Sequence, residues 1–367
     1  MNSPDPKRSL LIYDGTLGDL YRIFFKNMLL VILTLGIYRF WAITNNRRYI
    51  WSHMRFQDER FEYTGTGGEL FKGFLLAFAV VFGAVLSAGV LSAVLRVLTK
   101  SVLLAELPVI VFYLVIIVLA AGAFYSAQRY RLSRTQWCGI RGGMSGSAFS
   151  YGVCALLYAL LCIVTLGQAT PWMSMRLAER RINASSFGNL PFHFKGRARA
   201  VYGLFAVTFA GSVVLLAVLF TVFLRSALAS MHIGPVSASD TAQSLAAYGP
   251  IFLFYALLFI GVMLIRSFYV AALARHVMGN TALGSQLRFG SGVTVGRLLA
   301  LQFGNLAIIV FTLGFGMPIV RHRLMRFAAA TLQVSGVLDP QTLHQNSMAM
   351  PMTGEGMLNL LDHGGAF

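Results

Sequence analysis

The residues of this chain whose types and spacing could take part in chemistry are three Thr-Leu-Gly sequences, each inside an apolar segment. The segments read NMLLVILTLGIYRFW, YALLCIVTLGQATPW and NLAIIVFTLGFGMPI. A glycine can adopt φ > 0 and end a helix, and a threonine hydroxyl can bond a carbonyl one turn back. Interrupted apolar helices at equivalent repeat positions are typical of solute sites in transporters. We therefore predict a break site made of Thr34, Gly36, Thr165, Gly167, Thr312 and Gly314.

Arg266 is a charged residue inside a long apolar stretch, residues 250–274. An ionisable residue within a membrane segment indicates a functional site by default. A long side chain can instead snorkel to the headgroups, and both interpretations stay open. We add Arg266 to the site as a residue available for an anion, and we predict that it faces protein or a cavity.

The sequence shows no pattern typical of an enzyme or a metal site. Its seven histidines are scattered, and its three cysteines show neither metal spacing nor a disulfide framework. A nucleophile elbow and a phosphate-binding loop are both absent. The 13 acidic residues avoid the middles of the long apolar stretches, which argues against a carboxylate-driven proton antiporter. We expect no enzyme activity, no cofactor and no metal ion.

Composition indicates an integral membrane protein. Hydrophobic residues make up 57% of the chain and charged residues 12%, whereas soluble domains carry about 25% charged residues. The net charge of +17 would suggest nucleic acid in a soluble chain. Here the basic residues lie between apolar runs, as the positive-inside rule expects. We therefore predict the lipid bilayer as partner and no nucleic acid; protein partners and oligomeric state stay open.

Four apolar stretches are long enough to cross a bilayer: residues 73–95, 108–127, 201–224 and 250–274. Shorter similarities, FEYTG with FHFKG and FYSAQRYR with FYVAALAR, indicate a repeated unit of one Thr-Leu-Gly segment and two spans. We predict a polar segment at 1–19, a first repeat at 20–143, a second repeat at 144–284, a third Thr-Leu-Gly segment at 285–332 and a disordered tail at 333–367.

Two topologies compete for these segments. If the Thr-Leu-Gly segments cross, the chain has seven spans and its basic residues divide 15 to 14, with Arg266 set aside. If they enter and leave on one side, four spans remain and the division is 26 to 3. The positive-inside rule expects such asymmetry. We predict an all-α helical bundle with internal repeats, four spans, three re-entrant segments and both termini cytoplasmic; seven spans is the alternative.

Arginines after each Thr-Leu-Gly segment suit anionic lipid headgroups, which attract juxtamembrane basic residues by about 1 kcal/mol each. The predicted headgroup residues are Arg47, Arg48, Arg180, Arg181, Arg323 and Arg326.

The run TLGIYRFWAITNNRRYIW, followed by FEYTGTGGELFKGFL, resembles the YjgN-like family of bacterial inner-membrane proteins. RYRLSRTQWCGIR, GSAFSY and TLGQATPW continue the resemblance, which covers most of residues 10–335. It implies a multi-pass protein of the bacterial inner membrane. The family brings no established activity, so the resemblance implies no catalytic residue. The third segment departs from the pattern, with Ile319 where the other two have tryptophan.

Two functional hypotheses follow. The leading one is a small-solute transporter or channel-like permease with its site at the three breaks. The alternative is a non-transporting protein that organises anionic lipid or scaffolds partners at the inner leaflet. A water-accessible cavity ending at the breaks would favour the first hypothesis, and a solid structure with a basic face the second.

Overall fold

The structure, a computed structural model, describes residues 11–230, 241–348 and 351. In these residues, pairs of α-helices follow pairs of short β-strands, with ten helices and ten strands in all. The strands are β1 (Leu11–Tyr13), β2 (Met54–Phe56), β3 (Glu59–Tyr63), β4 (Thr135–Trp137), β5 (Ile140–Met144), β6 (Ser185–Phe187), β7 (Leu190–Phe194), β8 (Thr281–Leu283), β9 (Leu287–Ser291) and β10 (Leu332–Ser335). The helices are α1 (Leu17–Leu33), α2 (Arg39–Ser52), α3 (Gly67–Thr99), α4 (Val102–Arg134), α5 (Ala148–Val164), α6 (Thr170–Asn183), α7 (Arg199–Ser230), α8 (Thr241–Gly279), α9 (Val295–Phe311) and α10 (Met317–Thr331).

The strands form one antiparallel sheet in which each strand pairs with the next in sequence. The sheet curves until its two edge strands, β1 and β10, contact each other. Tight turns join several strand pairs. Both central residues have positive φ at Gln57-Asp58 and at Cys138-Gly139, as a type I′ turn requires.

Apolar side chains fill the inside of this curved sheet. Trp137, 2% exposed, packs against Phe56 and donates its indole N–H to the Phe56 carbonyl at 3.1 Å. Leu283, Leu287 and residues from the end of the chain complete the cluster. Fully burying one such apolar side chain contributes about 1.5–3 kcal/mol, so the sheet has its own core outside the long apolar helices.

Both ends of each helix pair attach to neighbouring strands. β1 precedes α1, β2 follows α2, and β1 pairs with β2; the same holds for β3 and β4 around α3 and α4. Hydroxyl side chains cap the first helix of these pairs, since Thr16 accepts from the Asp19 amide and Thr66 from the Glu69 amide. Consequently the helix pairs all project from one sheet.

Two of the helix pairs are long and three are short. Four helices, α3, α4, α7 and α8, are long and apolar enough to cross a membrane, with 28 to 33 described residues each. They confirm the four predicted spans. Helices α1, α5 and α9 have 17 residues each, about 25 Å at 1.5 Å per residue. A hydrocarbon core is about 30 Å thick, so these helices are at the lower limit of length for a membrane span.

The prediction of an all-α chain is wrong, because the loops read as basic connections contain the ten-stranded sheet. The four long helices are also only 6 to 17% buried across their most apolar windows. α3 packs mainly on α4 and α7 mainly on α8, which gives two antiparallel pairs in place of the predicted bundle.

The terminal segments differ from the sequence prediction where the structure describes them. Residues 11–13, placed in a polar segment, form β1, and α1 begins at Leu17. Residues 332–335, at the start of the predicted disordered tail, form β10. Leu338 and Leu343 then pack into the sheet core with 4% and 6% exposure. The burial of these two leucines explains why this part of the predicted disordered tail is ordered. Residues 352–367 lie outside the described part of the chain.

Candidate functional site

The first Thr-Leu-Gly sequence forms the turn between α1 and α2. Leu35 has φ 50° and Gly36 has φ 93°, a left-handed backbone that favours glycine and ends the helix. The Thr34 hydroxyl has two roles: it donates to the Leu30 carbonyl at 2.7 Å and accepts from the Tyr38 amide at 2.9 Å. The threonine therefore closes the turn from inside.

Every backbone amide of residues 34–39 donates a hydrogen bond within this turn. The acceptors are, in order, the carbonyls of Leu30, Ile32, Val31 and Thr34, the Thr34 hydroxyl and the Gly36 carbonyl. No N–H group of the turn is left for a solute. A turn with paired amides is suited to hydrocarbon, where each unpaired polar backbone group costs several kcal/mol.

The other two turns repeat this geometry. Gly167 and Gly314 have φ of 87° and 91°. Thr165 accepts from the Ala169 amide at 3.1 Å, and Thr312 from the Gly316 amide at 2.8 Å. The remaining amides of residues 165–170 and 312–317 find acceptors at the same spacings as in the first turn. The predicted αL helix ends are thus present at all three glycines.

The three turns are exposed tips and do not meet at a shared cavity. Leu35, Leu166 and Leu313 are 96%, 82% and 88% exposed. A Cβ added at Gly36 or Gly314 would have open space around it. The exposed leucines give no support to a single solute site built from the three breaks. Sequence reasoning also overlooked the leucine of Thr-Leu-Gly, although its identity in every copy was the available signal.

Arg266 lies on α8 in a groove that runs along this helix from Tyr255 to Val270, with Gln302 of α9 in its lining. The groove has a volume of about 570 Å³. The Ser267 hydroxyl lies 2.8 Å from the Gln302 side-chain oxygen and 2.7 Å from the Met263 carbonyl, and it donates to one of them at a time. The Arg266 side chain lines this groove and is exposed, and the prediction that it faces protein or a cavity stays a prediction. The sequence analysis did not single out Gln302, although a glutamine within the apolar helix α9 is unusual enough to indicate a polar site.

The predicted headgroup arginines fall into two groups. Four of them bind protein: Arg47 the Tyr63 hydroxyl, Arg48 the Gly65 carbonyl, Arg181 the Gln128 side chain and Arg323 the Ala300 carbonyl. Arg180 and Arg326 are exposed, and neither forms a hydrogen bond or an ion pair with the described residues. These two side chains remain available to an external anion.

A neighbouring histidine does not add to this basic character. His322 on α10 packs against the Tyr13 ring, with 5.6 Å between centroids. Burial, and to a lesser degree the positive charge of Arg326, lowers the pKa of His322 below its usual value. His322 is therefore neutral at pH 7, and the arginines alone carry the charge here.

A polar network that the sequence did not reveal joins the sheet ends of α3 and α4. The Glu69 carboxylate accepts from the Tyr130 hydroxyl at 2.6 Å and pairs with Arg134 at 2.7 Å. These contacts hold the two helices at the point where they leave the sheet. Within the described residues, no group of three or more histidine, cysteine or acidic side chains could hold a metal ion.

The fold and these surfaces define a multi-pass membrane protein whose helix pairs project from a curved sheet. The chain belongs to the family described as "Bacterial protein of unknown function (DUF898)", which matches residues 9–360. It is similar to inner membrane protein YjgN of Salmonella typhimurium strain LT2, with 25% identity over 383 residues, covering 92% of this chain and 91% of the relative.

The protein of the same name from Escherichia coli O157:H7 is 23% identical over 374 residues and covers 92% of each chain. No solved structure matches the chain. The resemblance predicted from the motifs is confirmed, and the chain is a multi-pass protein of the bacterial inner membrane.

Proposed function

We propose that this protein organises anionic lipid in the inner leaflet and does not transport a solute. In this proposal the three short helix pairs are re-entrant: they enter the inner leaflet from the cytoplasmic side, and their Thr-Leu-Gly tips end in hydrocarbon. The single observation that carries the proposal is the turn itself, whose amides are all paired while its leucine is 82 to 96% exposed.

That observation also bears on transport. The solute hypothesis depended on backbone N–H groups freed at the breaks, as in discontinuous transporter helices. Here the threonine hydroxyl and the neighbouring carbonyls use every amide donor of the turn. The exposed leucines at the tips also favour contact with lipid over contact with a wet cavity.

The attachment of the helices supports the re-entrant arrangement. α1 and α2 begin and end at β1 and β2, which pair with each other, so both ends of this helix pair lie on one side. α5 and α6 likewise connect β5 and β6. A pair that leaves the sheet and returns to it crosses the membrane either twice or not at all. The first helix of each short pair has 17 residues, the lower limit for a span, and this short length favours a re-entrant pair.

The distribution of charge supports contact with anionic lipid. Arg96, Lys100 and Arg225 lie at the ends of the long pairs remote from the sheet. Arg39 lies at the tip of the first short pair, and most other basic residues in the described part of the chain lie in the sheet or in the helix turns next to it. Arg180 and Arg326 are exposed on the short pairs, without a protein partner among the described residues. Each such residue near an anionic surface contributes about 1 kcal/mol.

The test is the selection of lipid around the reconstituted protein. In vesicles of phosphatidylethanolamine, spin-labelled phosphatidylglycerol is expected to show a larger motionally restricted fraction than spin-labelled phosphatidylcholine, and added salt should reduce the difference. The double variant Arg180→Gln/Arg326→Gln should reduce the selectivity by roughly fivefold or more. The double variant Arg180→Lys/Arg326→Lys, which keeps both charges, is the control and should leave the selectivity nearly unchanged.

Two results of this experiment would contradict the proposal. One is equal restriction of both labelled lipids by the unaltered protein. The other is a solute flux in the same vesicles well above that of protein-free vesicles, because a flux would favour the transport hypothesis.

The orientation gives a separate prediction. Since β1 and β10 belong to the same sheet, the chain enters and leaves the described structure on one side, and the charge division places that side in the cytoplasm. Alkaline phosphatase fused after residue 348 is expected to be inactive, and green fluorescent protein fused there to be fluorescent. The control fusion at Lys100, between α3 and α4, should show the reverse. Periplasmic activity at residue 348 would contradict the four-span arrangement.

A further inference from the structure

Helices α4 and α5, which correspond to α8 and α9 in the repeat, pack closely at two glycines. In the earlier pair, a Cβ at Gly122 would lie 3.0 Å from the Ala148 carbonyl oxygen, and a Cβ at Gly152 would collide with the Val118 carbonyl. These glycines let the two helices pack backbone to backbone.

The later pair has large side chains at the matching positions. Alignment of FYSAQRYR with FYVAALAR places Arg266 where Gly122 stands, and alignment of the Thr-Leu-Gly sequences places Leu299 where Gly152 stands. Close backbone packing is no longer possible, and the 570 Å³ groove lies between the helices. The groove therefore follows from a sequence difference between two otherwise similar helix pairs.

The walls of the groove are apolar on one side of Arg266 and polar beside it. Leu258, Phe259 and Val262 line the part nearer the middle of α8, whereas Ser267 and Gln302 lie next to the guanidinium. Helices α8 and α9 contain no aspartate or glutamate. In the part of the chain that the structure describes, Arg266 has neither an ion pair nor a hydrogen-bond partner.

The depth of Arg266 suits a headgroup phosphate. α7 runs antiparallel to α8, with Gly211 beside Ile265 and the Phe223 and Phe254 ring centroids 5.2 Å apart. Arg225, near the outer end of α7, is therefore about 21 Å along the helix axis from the level of Arg266. If Arg225 marks the outer boundary of a hydrocarbon core about 30 Å thick, the backbone of Arg266 lies about 9 Å inside the inner boundary, and its long side chain can extend towards the headgroups.

The length of the groove suits an acyl chain. Its lining residues on α8 run from Tyr255 to Val270, about 22 Å along the helix. The part between Arg266 and Tyr255 is about 16 Å long, about half the thickness of a hydrocarbon core. The apolar wall on this side of Arg266 is therefore about as long as an acyl chain of one leaflet.

We propose that the α8–α9 groove binds one anionic phospholipid of the inner leaflet, with its phosphate at Arg266 and Gln302 and one acyl chain along Leu258, Phe259 and Val262. A guanidinium is a strong charge-assisted donor to a phosphate oxygen. The Gln302 side chain carries an amide NH₂ group, which can also donate to a phosphate oxygen. Its contact with the Ser267 hydroxyl is shared, because that hydroxyl has one hydrogen and also lies 2.7 Å from the Met263 carbonyl. This inference rests on the proposed selection of anionic lipid and gives it a specific site.

The test uses phosphatidylglycerol that carries a diazirine on one acyl chain, in phosphatidylethanolamine vesicles with the full-length protein. After irradiation, peptide mass spectrometry should find adducts concentrated at residues 255–263 of α8. Arg266→Gln is expected to lower the adduct yield there by roughly fivefold. Val262→Phe keeps the charge but fills the wall, and it should lower the yield as well. Arg225→Gln is the control and should leave the yield unchanged.

Two further measurements identify the ligand. A diazirine phosphatidylcholine should label the groove more weakly than the phosphatidylglycerol probe, and excess inorganic phosphate should not displace the lipid. Displacement by inorganic phosphate would mean a site for free phosphate and would overturn the proposal. Adducts spread evenly over the exposed helices, with the same pattern in Arg266→Gln, would overturn it too. Either result could occur while the protein still selects anionic lipid in the spin-label experiment. In that case the proposed function would hold, and only the specific site in the groove would be rejected.

Discussion

Replacement of Trp137 by alanine is expected to lower the free energy of unfolding by about 3–5 kcal/mol, the range for truncating a buried large aromatic side chain. Trp137 lies at the centre of the sheet, 2% exposed, between Phe56 and Phe187. Its loss leaves a cavity and also leaves the Phe56 carbonyl without its indole donor. The midpoint of thermal unfolding in detergent should fall by roughly 10 °C.

Trp172→Ala is the matched control, because Trp172 is 38% exposed and packs on Tyr158 and Arg176 at the surface of its helix pair. This variant should cost about 1 kcal/mol or less. Equal destabilisation by the two substitutions would contradict a folded core within the sheet. The comparison thus tests whether the sheet is a structural centre of the molecule.

Replacement of the tip threonines by valine is expected to destabilise the protein in lipid nanodiscs by about 1–3 kcal/mol at each position. Valine matches the shape of threonine but cannot accept a hydrogen bond. Thr34→Val leaves the Tyr38 amide unpaired, Thr165→Val the Ala169 amide and Thr312→Val the Gly316 amide. Because the three turns belong to different helix pairs, the costs should add in a triple variant.

Thr→Ser at the same positions is the control, since serine keeps the hydroxyl and should preserve most of the stability. The loss of stability in the valine variants shows whether the tip lies in hydrocarbon or in water. In hydrocarbon the unpaired amide has no other partner, whereas in water it would bond to solvent. A cost near zero for all three valine variants would place the tips in water and contradict the re-entrant arrangement.

The groove and the tips together give a physical reason for two lengths of helix pair on one sheet. In the proposed arrangement the long pairs cross the bilayer, and α8 also supplies Arg266 to the groove. In the proposed function, the short pairs occupy only the inner leaflet. Lipid would then meet protein at two kinds of surface: exposed arginines such as Arg180, and a groove of fixed shape.

The sequence alone determined the membrane class, the four spans and the left-handed glycines. Each depends on residues close together in the chain. A run of about 20 apolar residues can satisfy its own backbone only as a helix in lipid. A Thr-Leu-Gly sequence at the end of an apolar helix specifies its own turn, because Gly36 and its equivalents accept a positive φ at little cost. Neither needs information from a distant segment.

The tertiary structure alone decided the sheet, the exposure of the tips and the groove. The strands are three to five residues long, too short for alternation of apolar residues to be visible. Their pairing joins residues far apart, as when Phe61 pairs with Trp137. Arg266 was visible in the sequence as an intramembrane charge, but its groove required α8 and α9 to be separated by side chains on both helices. Such features depend on contacts between segments, which local composition does not encode.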